Sequence, residues 1–111
     1  MNTRKYSKKQ EDSVAKLTQG RTQFNSGATP YYKGDVTTKD FLLECKTVIK
    51  RQKSISIKEE WIIKLKNEAF GMGKNRYALA FNFGPDESNY FILNEKQFQE
   101  YQELINKDVP N

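Results

Sequence analysis

With 111 residues the chain has material for one domain around one core, and 36% hydrophobic and 13% aromatic residues are too many for a disordered chain despite a charged fraction of 30%. Nineteen Lys and Arg against fourteen Asp and Glu leave a net charge of +5, which favours an anionic partner, either nucleic acid or a membrane surface. A single cysteine, Cys45, and no histidine exclude an intrachain disulfide, a zinc cluster and histidine acid–base chemistry, so any hydrolysis must run on carboxylates, lysine, hydroxyls and a hard metal such as Mg²⁺ or Mn²⁺.

In chain order, residues 1–6 read as a flexible basic arm, continued by Lys8 and Lys9. Ser7 with Gln10 has the capping-box spacing and predicts a helix from about Lys8 to Gln19, stopped at Gly20, with Val14, Ala15 and Thr18 facing inward and Glu11 on that same face. Arg21 to Lys33 is rich in turn formers, with a short strand at Gln23-Phe24. Two strands follow, Gly34–Thr37 and Asp40–Thr47, joined at Thr38-Lys39; Val48–Ser54, carrying Lys50, Arg51 and Lys53, is an exposed basic loop. Ser56 with Glu59 opens a central helix, Ile57 to Met72, with Ile62, Leu65, Ala69 and Met72 at helical spacing, Trp61 beside them, and Gly71 and Gly73 closing it. Tyr77–Phe83 and Tyr90–Leu93 read as strands around a turn at Gly84–Asn89. Asn94 with Gln97 opens a last helix, Glu95–Asn106, expected to bury Phe98, Tyr101 and Ile105. The order αβββαββα describes one small α/β domain, a mixed central sheet flanked by helices.

The chemistry concentrates at Gly34-Asp35 and Glu44-Cys45-Lys46. Alternation along a strand sends Glu44 and Lys46 to one face and Phe41, Leu43 and Cys45 to the other. If Asp35 lies beside Glu44, the two carboxylates can ligate a divalent ion, with the Cys45 carbonyl completing its shell and Glu11 reaching in from the first helix. Lys46 would then orient the attacking water or stabilise the phosphate. A carboxylate among Phe41-Leu42-Leu43 in a central strand needs compensation. The residues alone leave both a metal site and a structural Glu44–Lys46 ion pair open.

Taken together, Glu11 on a first helix, Gly34-Asp35, Glu44-Cys45-Lys46 and the αβββαβ order resemble the PD-(D/E)XK nuclease superfamily. Within it the chain is most similar to the archaeal-type and phage-encoded Holliday junction resolvases, over roughly residues 7 to 94. The resemblance implies a restriction-endonuclease-like core, Mg²⁺-dependent cleavage of branched DNA, metal ligation by Asp35 and Glu44 supported by Glu11, a catalytic Lys46, and a serine assisting from the preceding loop, for which Ser26 is nearest. It also implies a homodimer, with Tyr77, Phe81, Phe83, Tyr90 and Phe91 as candidates for its face, although alternation puts half of them inward. Two departures stand out: Lys33-Gly34 rather than a proline precedes Asp35, and Glu59-Glu60-Trp61 stands where the resolvases often carry glutamine.

Lys50, Arg51, Lys53 and Lys58 follow the acidic pair directly and are candidates for the DNA backbone, while Tyr31 and Tyr32 could stack on a displaced base. No apolar run approaches the ~20 residues of a bilayer span. The expectation is therefore a cytoplasmic protein, in the host cytoplasm if phage-encoded. Cleavage of linear or nicked DNA, a non-catalytic nucleic-acid-binding module of the same fold, and a basic protein-interaction adaptor are the alternatives.

Overall fold

Five strands form one mixed sheet in the order β1-β2-β3-β4-β5, where β1 is Arg21–Thr22, β2 Asp35–Thr37, β3 Phe41–Lys46, β4 Arg76–Phe81 and β5 Tyr90–Ile92. The structure is a computed structural model and describes residues 3–23 and 35–107. Helices α1 (Thr3–Thr18), α2 (Glu59–Gly71) and α3 (Glu95–Lys107) complete the order αβββαββα that the sequence predicts.

Each connection follows from its length. Thr38 to Asp40 suffices for the antiparallel β2–β3 hairpin, where Thr38 Oγ1 accepts the Phe41 N–H at 3.0 Å. The parallel β3–β4 pair needs a crossover, and α2 supplies it. Its end is fastened by Gly73, whose φ of 73° lets the Lys74 N–H reach back to the Ala69 carbonyl at 2.8 Å. At the end of α1 the left-handed residue is Gln19 (φ 58°) and the Gly20 N–H closes onto Ala15. Gly20 is required by space, since a Cβ there would lie 2.7 Å from the Thr37 carbonyl oxygen.

Both faces of the sheet are covered, which explains the unbroken apolar run in β3. On one face Val14 of α1 packs on Val36, Leu43, Cys45, Ala78 and Ala80, the two alanines leaving room for the helix backbone. On the other, Leu65 and Ala69 of α2 pack on Leu42 and Leu79, with Ile57 and Trp61 at the margin.

Several boundaries differ from expectation. Helix α1 begins at Thr3, so residues 3–6 of the predicted arm are helical and Ser7 is an interior residue. The first strand is Arg21–Thr22; Gln23 continues it with one bond to the Asp35 carbonyl, and Phe24 lies outside the described residues. Helix α2 starts at Glu59, after an extended Lys58 that makes no side-chain cap, and Ile57 before it packs against the core. Met72 is exposed. The predicted Asn94 cap forms, Asn94 Oδ1 accepting the Gln97 N–H at 2.8 Å. The Gln97 side chain instead bridges the Tyr77 N–H and carbonyl at 3.1 and 2.6 Å. The expected burial by α3 does not occur: Phe98, Tyr101 and Ile105 are exposed, and Gln97 is the helix's buried residue. No described helix is long and apolar enough to cross a membrane.

Candidate active site

The β2–β3 register makes Asp35 and Glu44 direct cross-strand partners, so both carboxylates leave the same face of the sheet. Lys46 follows two residues later on that face, with its Nζ 4.0 Å from Glu44 Oε1 and 4.4 Å from the centre of the Trp61 ring. Helix α2 thus delivers the indole that supports the lysine, and Lys58 approaches the same ring at 5.9 Å. Glu44 is largely covered and Lys46 half-open to solvent, an arrangement in which the cation can reach a ligand while the carboxylate stays fixed.

Glu11 is 1% exposed on the inward side of α1, as its spacing predicts. Cys45 sits among the acidic groups: burial, then the charges of Glu11, Asp35 and Glu44 in that order, push its thiol far above the ordinary range. Three carboxylates therefore act on one atom at this end of β3. The raised thiol is inert, so Cys45 should resist alkylation at mildly alkaline pH until the chain unfolds. The folded state holds a proton that the unfolded chain releases above a pH of about 8.5. Stability should accordingly fall as pH rises past that value, and less steeply in a Cys45→Ala chain followed by urea unfolding.

Asp35 and Glu44 offer hard oxygen donors, which suit Mg²⁺ or Mn²⁺. Among the described residues no three or more His, Cys, Asp or Glu side chains gather into a metal-holding group, so an ion held between β2 and β3 would have Asp35, Glu44 and main-chain oxygen as its donors. Ser26, Tyr31 and Tyr32 lie outside the described residues.

The sequence reading missed Gln10. Buried on α1, its Nε2 donates to the Lys46 carbonyl (2.8 Å), the Ala80 carbonyl (3.3 Å) and Asn89 Oδ1 (3.1 Å), tying the ends of β3 and β4 beneath the lysine. Its spacing of four to Val14 and eight to Thr18 was the available signal.

Lys50, Arg51, Lys53 and Lys58 are all exposed beside this end of the sheet. The β4–β5 turn holds two cations: Glu87 pairs with Arg51 at 3.4 Å and Asp86 with Lys9 at 3.2 Å. Of the aromatic residues proposed for a dimer face, Phe81, Phe83 and Tyr90 cluster with ring centres 5.5 to 5.7 Å apart, and Tyr90 is open to solvent. Tyr77 and Phe91 pack onto the two cores. Compared with family models, curated proteins and solved structures, the chain matches none of them.

Proposed function

We propose that the chain is a metal-dependent endonuclease that hydrolyses phosphodiesters in branched DNA. The observation that carries this reading is the opposition of Asp35 and Glu44 across β2 and β3, with Lys46 on the same face. A divalent ion held by these carboxylates and the Cys45 carbonyl would neutralise charge at the phosphate being cut. Lys46 donates to a phosphate oxygen or orients the attacking water, and Trp61 keeps its ammonium at the mouth of the site. Glu11 supplies further negative potential from behind β3. Lys50, Arg51, Lys53 and Lys58 bind neighbouring phosphates, and the basic surface reads DNA shape rather than base sequence.

A second reading, a nucleic-acid-binding module of the same fold, is favoured by the position of Lys46, whose ammonium already has Trp61 and Glu44 as partners. Cleavage of an end-labelled four-way junction beside its linear duplex, with Mg²⁺, Mn²⁺ or chelator, separates the readings. Metal-dependent nicks confined to the junction are the expected result. Equal cleavage of both substrates would make the chain a general nuclease, and binding without cleavage under either metal would make it a binding module.

The acidic turn competes with DNA for two cations. An Asp86→Asn, Glu87→Gln chain should therefore bind a junction several-fold more tightly, and its log K against log salt should steepen by about 1 to 2. Fluorescence anisotropy across a salt series measures both; unchanged affinity would remove Arg51 and Lys9 from the DNA surface.

A further inference from the structure

Lys46, Phe81 and Tyr90 are successive partners across β3, β4 and β5, one row beyond Glu44, Leu79 and Ile92. Alternation puts both rows on the same face of the sheet, so Phe81 and Tyr90 stand beside the lysine of the proposed site. Phe83 joins them just after β4. The Phe81 ring stacks on Tyr90 at 5.7 Å and 26°, and Phe83 meets the two edge-on at 5.5 and 5.7 Å. None of the three belongs to either core cluster, and Tyr90 is 55% exposed. A cross-strand aromatic pair steadies the end of a sheet, which accounts for Phe81 facing Tyr90 but not for the open space beside them.

That space is a cleft of about 340 Å³ lined by Arg51, Phe83, Asp86, Glu87, Ser88 and Tyr90. Its size is that of a small-ligand pocket, and its lining joins aromatic rings to hydrogen-bonding groups. A nucleobase has the matching character, an apolar planar face and a polar edge. The basic loop is fastened at the same place: the Gln52 N–H donates to the Phe83 carbonyl at 2.7 Å, and Arg51 Nε lies 3.4 Å from Glu87 Oε2. Exposed Lys50, Arg51 and Lys53 therefore flank the rings. Aromatic side chains beside a track of cations form the arrangement that holds single strands, with cations on the phosphates and rings against the bases. A second copy docked on this face would set the same cations against one another.

We propose that Tyr90, backed by Phe81 and Phe83, is a stacking platform for one unpaired base of the DNA strand whose phosphate lies at Lys46. A phosphate at the ammonium places the adjoining base over the next two strands, where the rings are. Stacking tolerates every base, so the platform selects not a sequence but a nucleotide that can leave the helix. Branch points offer such nucleotides and an intact duplex does not. The inference rests on the reading of this end of the sheet as a nucleic-acid site, and on neither the metal nor the cut.

Fluorescence anisotropy of the full chain in chelator, with a labelled thymidine octamer and an abasic octamer carrying the same phosphates, tests it. Tyr90→Ala should weaken binding of the thymidine octamer about 5- to 100-fold and leave the abasic octamer unchanged, while Tyr90→Trp keeps both. Tyr90→Leu retains an apolar contact with Phe81 but no ring, and should behave as Tyr90→Ala does; unchanged abasic binding shows that the fold and the cations are intact. Equal losses on the two octamers, no loss on either, or a wild-type chain that binds neither overturns the proposal. Self-association abolished by Tyr90→Ala, with the two octamers bound alike, overturns it and gives the rings to a second copy. Junction cleavage on the same preparations reports the nuclease separately. Cleavage without base-dependent binding removes the platform alone, and base-dependent binding without cleavage removes the nuclease alone.

Discussion

An Asp35→Asn chain should lose metal-dependent junction cleavage by about 10²–10³-fold or more, as expected when several kcal/mol of transition-state charge stabilisation disappear. Folding and junction binding should survive. The stability of the same variant makes the result specific, because like charges placed directly opposite across a strand pair destabilise by about 0.2–1 kcal/mol. Removing the charge at Asp35 should leave the thermal midpoint unchanged or raise it, whereas a carboxylate retained as structural support would lower the midpoint on removal. Single-turnover cleavage and thermal unfolding on one preparation distinguish the two. Loss of stability together with undiminished cleavage would detach Asp35 from the chemistry.

Leu79→Ala should give the largest loss of stability. Leu79 is fully buried, pairs with Glu44 in the parallel ladder and with Ile92 in the antiparallel one, and packs with Leu42, Leu65 and Ala69 under α2. Truncation there removes buried methyl groups and leaves a cavity between rigid strands, at a cost of about 2–5 kcal/mol. Against a total of roughly 5–15 kcal/mol for a domain, that is a large share. Urea unfolding should show a markedly lower midpoint for Leu79→Ala and a change within about 0.5 kcal/mol for Ile63→Ala, whose side chain is half-exposed on the outer side of α2. Because Leu79 lies beside Glu44 on the same sheet face, cleavage should fall with stability in that variant but not in the control.

The site was legible in the sequence where strand geometry alone decides it. Alternation along Phe41–Lys46 places Glu44 and Lys46 together, but a two-residue turn at Thr38-Lys39 would set Asp35 opposite Leu42, and it is the inclusion of Asp40 in the turn that sets it opposite Glu44, on the same face. Glu11 was legible for the same kind of reason, being three residues before Val14 on a helix. Helix starts were not. Ser7 and Ser56 carry the capping pattern, but a cap is a local preference of about 1 kcal/mol. The polar turn before Ser7 joins α1, and α2 begins only after Ile57, which packs against the core. The outward face of α3 was not legible either: periodicity states that one side is apolar, and says nothing about whether the chain's own sheet or another surface covers it.

Trp61 is the chain's single tryptophan, and the Lys46 ammonium lies on its ring. The protein therefore carries a built-in optical probe at the proposed reaction centre. A phosphate that draws the ammonium away alters the electric field across the indole, so ultraviolet emission should change when a junction is engaged, even in Asp35→Asn where nothing is cut. Stopped-flow recording of that emission would time the arrival of DNA at Lys46 apart from bond cleavage, with no dye attached to either molecule.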